Sequence, residues 1–196
     1  MITRFLIMAL LGAIVAGCQS WTLVEAKPYT LASGYTVEPT RTWSAIKIGN
    51  THHMTIDGPG LQRLIISTDV QPGDKLIDIA VAPGSEAGKA FPEYSAGLSP
   101  IEIVELIDNT LEAWDSSQIV KSNIRQDDLN GETATVFDLS MVSSDGLNYR
   151  GFVYAVQREE SFQLFLYYGT DLFHYEKNAD DALAIIKSIT WPQKET

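Results

Sequence analysis

The chain is poor in cysteine and in basic residues. Cys18 is its single cysteine among 196 residues, so no internal disulfide can form and the fold has to rest on a hydrophobic core. It has 14 Lys and Arg against 25 Asp and Glu, which gives a formal net charge of −11. A surface this negative repels phosphate backbones, and no basic cluster interrupts it. We therefore expect no nucleic-acid partner.

The sequence also lacks the common catalytic and cofactor motifs. It contains no P-loop, no Gly-x-Gly-x-x-Gly, no EF-hand loop and no His-Glu-x-x-His. The segment Gly97-Leu-Ser-Pro-Ile101 lacks the second glycine of a nucleophile elbow, and Ser99 is better interpreted as a helix cap. We expect that the protein is not an enzyme and that it takes no cofactor.

Histidines are scarce, and two of the three are adjacent. His52 and His53 would point to opposite faces of a strand, so they are a poor chelating pair and predict no metal site. We interpret them as an exposed loop pair before a strand. A hydrolase would require two or more of His52, His53, His174 and the scattered acidic residues to converge in one cleft.

No apolar run reaches the roughly 20 residues that a membrane-spanning helix needs. The N-terminus has one positive residue, Arg4, then the apolar run Phe5–Val15, then small residues. This order is typical of a secretory signal peptide, which we assign to residues 1–17. The whole chain is 45% hydrophobic and 20% charged, as expected of one ordinary folded domain.

The residues Val15-Ala16-Gly17-Cys18 resemble the lipobox of bacterial lipoproteins. The resemblance implies cleavage before Cys18, acylation of Cys18 and attachment to a membrane of the cell envelope through the lipid. Each buried CH₂ of an acyl chain contributes about 0.8 kcal/mol, so two or three chains hold a protein stably. Gln19 in place of an aspartate favours the outer over the inner membrane in such proteins. The alternative is an ordinary signal peptide followed by an unmodified cysteine.

Residues 18–33 show neither helical nor strand periodicity and predict a flexible tether. About fifteen such residues have a root-mean-square span of roughly 20 Å. Trp21 either sits at the level of the lipid headgroups or covers the domain edge. Because the body is acidic, we expect anionic headgroups to repel it, so that it stands off the membrane and only the acyl chains attach it.

Residues 34–192 predict a single α+β domain, followed by a tail at 193–196. Ser99, Pro100 and Glu102 form the N-terminal signature of a helix over Ser99–Asp115. A second helix is predicted from about Asn178, as its cap, to Ser188. Five early strands are predicted, at 35–39, 43–48, 53–57, 61–68 and 76–82, and a long loop at 83–97.

Three further strands are predicted at 132–142, 147–158 and 162–169, at hairpin distances from one another. In the last of them Phe162, Leu164, Leu166 and Tyr168 share one face, while Phe165 and Tyr167 take the other. Apolar side chains on both faces predict a central strand that is covered on both sides.

This arrangement resembles the PsbP-like fold. The resemblance is carried by the Asn130-Gly131 turn, the aromatic strand Phe162–Tyr168 and the terminal Ile185-Ile-Lys-Ser-Ile-Thr-Trp191. It implies an α-β-α sandwich, an antiparallel sheet flanked by helices, in a class of proteins that act mostly as binding or accessory subunits.

We therefore expect a lipid-anchored envelope protein with a non-catalytic binding or accessory domain for a protein partner. The alternative is a carrier of a small apolar ligand, such as a lipid or a quinone. The cleft of such a carrier would be lined by a cluster of aromatic residues. The simpler interpretation of this cluster is that it belongs to the hydrophobic core and sheet face. The cluster consists of Phe162, Phe165, Tyr167, Tyr168, Phe173 and Tyr175.

Overall fold

The structure, a computed structural model, describes residues 20–31, 34–80, 91–114 and 116–192. Within them an eight-stranded antiparallel sheet has the order β1-β4-β5-β6-β10-β9-β8-β7, beside a hairpin of β2 and β3. The strands are β1 Thr22–Val24, β2 Tyr29–Thr30, β3 Thr36–Val37, β4 Trp43–Ile48, β5 Thr51–Thr55, β6 Gln62–Val70, β7 Ser116–Leu129, β8 Glu132–Ser143, β9 Asn148–Arg158 and β10 Ser161–Thr170. The helices are α1 Pro100–Ala113 and α2 His174–Lys187, and neither is long and apolar enough to cross a membrane.

The predicted central strand is confirmed in β10, which lies between β6 and β9. Phe162 and Leu164 belong to a core layer shared with α1, whereas Phe165 and Tyr167 belong to a second layer shared with α2. With one helix on each face of the sheet, the molecule is the predicted α-β-α sandwich.

Helix α1 begins where the sequence predicts. The Ser99 hydroxyl accepts a hydrogen bond from the Glu102 amide, and the Glu102 carboxylate accepts one from the Ser99 amide at 2.7 Å. These two bonds satisfy main-chain donors that the helix itself cannot pair. One face, formed by Ile103, Val104 and Ile107 together with Leu111, is buried against the sheet.

The tether predicted at 18–33 is wrong for its described residues. Strand β1 pairs with β4, the side chains of Val24 and Leu31 are buried, and Tyr29 pairs with Val37 in the small hairpin. The folded domain therefore begins before residue 34. Strands of two or three residues with one buried side chain are too short to show a periodic pattern, which is why the sequence did not reveal them.

Two other predictions need correction. The strand predicted at 76–82 is irregular over its described residues 76–80, although Leu76 and Ile77 are buried in the core. Helix α2 begins at His174 with Phe173 as its cap residue, so Asn178 is inside the helix. The signal peptide, Cys18, the loop residues 83–90 and the tail at 193–196 lie outside the described residues.

Strand β7 was not predicted at all. It is the longest strand and forms the sheet edge opposite β1. Most of its side chains are exposed, so it shows no alternation of apolar and polar residues. Two register shifts against β8 accompany the positive φ angles of Gln118 and Asn123. Such bulges twist a free edge and disfavour pairing with another strand.

Asn178 joins α2 to two turns of the chain. Its buried side chain accepts a hydrogen bond from Arg41 Nη2 at 2.5 Å and donates one to Asp57 Oδ2 at 2.9 Å. Lys177 Nζ lies 2.7 Å from the other Asp57 oxygen. Burial raises the pKa of Asp57, but its bonds to Lys177 and Asn178 outweigh this and lower it. The amide of Asn178 therefore connects a cation and an anion from different parts of the chain.

Replacing Asn178 by alanine should lower the free energy of unfolding by about 2 kcal/mol, because partly buried partners lose their hydrogen bonds. Urea unfolding followed by circular dichroism measures this. Asn109→Ala, on the exposed side of α1, is the matched control and should change stability by less than about 0.5 kcal/mol. Equal stability of the two variants would show that the Asn178 network contributes nothing.

Candidate functional site

The histidine pair lies inside β5 and is buried, so the prediction of an exposed loop pair is wrong. As expected for neighbours in a strand, the two rings face opposite sides of the sheet. His52 Nδ1 is hydrogen-bonded to the Tyr29 hydroxyl at 3.1 Å, and His53 Nε2 donates to the Asp78 carbonyl at 2.8 Å. Burial lowers the pKa of each histidine to about 4, so both rings are neutral at neutral pH.

The three histidines do not meet in one cleft. His174 lies in the first turn of α2, where its Nδ1 is 2.8 Å from the Thr170 hydroxyl. His52 and His53 are separated by the sheet itself. Within the described ranges no group of three or more His, Cys, Asp or Glu side chains is placed to hold a metal ion. The geometry of these residues therefore supplies no support for a hydrolase.

The aromatic cluster is mostly core. Phe162, Phe165 and Tyr167 have no exposed surface, and Tyr168 is buried as well. The Tyr167 hydroxyl donates to the His174 carbonyl at 3.0 Å, and burial raises the pKa of Tyr168 to about 12. These side chains fill the two layers that hold the helices. Phe173 is the exception, because 58% of its surface is exposed.

Two of the concave regions on the described surface are lined largely by polar and charged residues. One, of about 320 Å³, lies between the β4–β5 turn and the loop at 73–78, and the other, of about 490 Å³, lies at the β9–β10 turn. None of the six cluster aromatics lines either of them. The apolar-ligand carrier therefore gains no support from these two regions.

Three turns meet at the end of the sheet where β10 finishes. We call them the distal loops, and they comprise residues 58–61, 144–147 and 171–173. The Thr170 amide donates to the Leu61 carbonyl at 2.9 Å, and the Asp171 amide donates to the Asn148 carbonyl at 3.0 Å. The Tyr149 hydroxyl donates to the Gly60 carbonyl at 2.6 Å. These bonds hold the three turns together as one surface.

The distal loops expose large apolar side chains. Leu172 is fully exposed and Phe173 is 58% exposed. Leu61 is 39% exposed and Leu147 is 41% exposed. Charged pairs surround them, including Arg150, which lies 2.7 Å from Glu176 and 3.6 Å from Asp171. Apolar residues with a charged rim are typical of a protein-binding surface.

Sequence reasoning missed this surface and assigned Phe173 to the aromatic cluster. The available signal was the pair Leu172-Phe173 in a short polar segment after the last strand. Two adjacent large apolar residues in a turn are difficult to bury together. Only the bounds of α2, which begins at His174, show that both residues belong to a turn.

Comparisons with known proteins bear on the fold. No family model matches the chain, and no curated protein matches it either. Among solved structures, cyanobacterial PsbP (CyanoP) from Synechocystis aligns with a TM-score of 0.51 and 10% identity over 91% of this chain and 96% of that one. LpqN, involved in cell envelope biogenesis of Mycobacterium tuberculosis, aligns with a TM-score of 0.38 and 10% identity over 90% and 88%. The CyanoP alignment shows that this chain has a PsbP-like fold.

The buried histidines predict a loss of stability in mild acid. An unfolded histidine with a pKa near 6.5 binds a proton as the pH falls, while the folded one does not until about pH 4. The unfolded state is therefore favoured progressively from pH 6.5 down to 4. At pH 5 each histidine should lower the free energy of unfolding by about 2 kcal/mol relative to pH 7.

Urea unfolding at pH 7, 6 and 5 checks this. The double variant His52→Gln, His53→Gln should be less stable at pH 7 but should lose less stability on acidification. Asn109→Ala, on the exposed side of α1, removes no titratable group, so it serves as the control and should keep the pH dependence of the parent protein. The interpretation would be wrong if the double variant lost as much stability as the parent between pH 7 and 5.

Proposed function

We propose that this chain is a lipid-anchored protein of the bacterial cell envelope, with a non-catalytic domain that binds a protein partner. The anchor is supported by the lipobox at Val15–Cys18 and by the signal-like residues before it. Under this proposal the domain faces the periplasm, and Gln19 favours the outer membrane over the inner. The accessory role is what the resemblance to PsbP-like proteins implies.

The full exposure of Leu172 beside Phe173 is the observation that carries the binding role. Burying one such side chain stabilises a fold or a complex by roughly 1.5–3 kcal/mol. Within this chain the side chain of Leu172 stays exposed, so this free energy is available for binding a partner. Because main-chain hydrogen bonds already order the distal loops, a partner would lose little free energy in fixing them. The partner that fits is a protein with an apolar pocket bordered by charged groups.

A photo-crosslinking amino acid at Leu172 should form a discrete adduct of higher mass in living cells. The same amino acid at Ile101, which is 56% exposed on α1, is the matched control and should not form that adduct. Adding Phe173→Ser to the Leu172 probe should reduce the adduct at least tenfold, since central apolar anchors contribute about 2 kcal/mol or more. Equal adducts from positions 101 and 172 would contradict a partner at the distal loops.

The anchor has its own test. The parent protein should incorporate labelled palmitate and fractionate with membranes, whereas Cys18→Ser should do neither. Ser20→Ala, two residues away and exposed, is a control that leaves the proposed acylation site unchanged. Failure of the parent protein to take up label would remove the anchor from the proposal and leave the distal loops to be judged on the crosslinking result.

A further inference from the structure

A strip of exposed apolar side chains lies on the β1 edge of the sheet. Leu23 is 75% exposed and Trp21 is 39% exposed, whereas Val24, the last residue of β1, is buried in the core. Side chains alternate along a strand, so Trp21 and Leu23 point away from the layer that contains Val24. Ile46 and Ile48 of β4 lie on that same outer face and are partly exposed. We call Trp21, Leu23, Ile46 and Ile48 the edge strip.

The register places Trp21 next to Ile46. Thr22 pairs with Ala45, and Val24 pairs with Trp43, so the residue before Thr22 continues alongside Ile46. The edge strip is therefore continuous across two strands. It follows the chain from its first described residues, at the side of the domain nearest in sequence to Cys18.

The short connection to Cys18 limits how far the edge strip can lie from an acyl anchor. Trp21 is the third residue after Cys18, and an extended chain covers at most about 3.6 Å per residue, so the two are at most roughly 11 Å apart. The interfacial zone between hydrocarbon and water is about 5–8 Å thick on each side of a bilayer. An acylated Cys18 would thus hold Trp21 at or just above the lipid headgroups.

The charge of this edge differs from that of the whole chain. Strands β1, β4 and β5 contain no Asp or Glu, and their one residue with a full charge is Lys47. The chain as a whole carries a net charge of −11. Headgroup repulsion, which grows with negative charge near the surface, is therefore weak along these three strands, and the nearest carboxylate at the β4–β5 turn is that of Asp78, which accepts a hydrogen bond from the Asn50 amide. Tryptophan is also the residue most favoured at the interface between lipid and water.

We propose that the edge strip contacts the membrane surface, with Trp21 at the level of the lipid headgroups. This inference rests on the acylation of Cys18 proposed above. The register also locates the edge strip relative to the distal loops. Ile46, next to Trp21, pairs with His53, which pairs with Ile65, which in turn pairs with Leu166 of β10, four residues before Thr170. Three strands, β4, β5 and β6, lie between β1 and β10, so the edge strip and the distal loops are separated mainly across the sheet.

Fluorescence quenching in vesicles tests the contact. The full chain, purified in its lipidated form, is reconstituted into phosphatidylethanolamine and phosphatidylglycerol vesicles whose acyl chains carry bromine near the headgroup. Bromine quenches only nearby tryptophans, and the chain has four, of which Trp43 is buried. We expect quenching of the parent protein that is lost in Trp21→Phe and kept in the control Trp114→Phe.

The outcomes distinguish the two proposals. Intact mass first shows whether Cys18 is acylated, and an unmodified mass overturns both the anchor and the membrane contact. An acylated protein whose quenching is unchanged by Trp21→Phe, or absent altogether, overturns the edge strip and leaves the anchor standing. Acylation together with quenching that depends on Trp21 supports the contact.

Discussion

The burial of β10 on both faces is the constraint on which the rest of the structure depends. Its side chains enter two separate core layers, so each layer needs its own cover, and α1 and α2 supply it from opposite sides. Gly169 near the end of the strand lets α2 begin immediately above it, since a Cβ there would lie 2.7 Å from the Tyr175 amide nitrogen. A side chain at that position would push the first turn of α2, and the exposed Leu172-Phe173 turn before it, away from the sheet.

The same strand determines where the two proposed surfaces lie. Because β10 pairs with β6 and β9, the turns next to its C-terminal end come together as the distal loops. Three strands, β4, β5 and β6, lie between the β1 edge and β10. The proposed partner surface and the proposed membrane-facing surface therefore use different residues of one domain.

Sequence patterns predicted the interior well and the borders poorly. Alternation with apolar residues on both faces identified β10 as central, and Ser99-Pro100 with Glu102 located the start of α1. Those signals arise from burial and from capping, which depend on local residues. The edge strands β1 and β7 were missed because an edge strand is stabilised by main-chain pairing with its neighbour, which leaves little pattern in its side chains. The distal loops were missed for a related reason, since their exposure depends on where α2 begins.

Strand β1, which the sequence did not predict, affects the proposed membrane attachment more than it affects the fold. A fifteen-residue tether would average the domain over many orientations, and the net charge would then decide its position relative to anionic lipids. The sheet begins at Thr22, so an anchor at Cys18, as proposed, would be four residues from it, and the charge of the nearest edge would then matter more than the total charge. That edge has no acidic residue on β1, β4 or β5. An acidic protein can therefore present a neutral, apolar side to a membrane when its anchor is short enough to select that side.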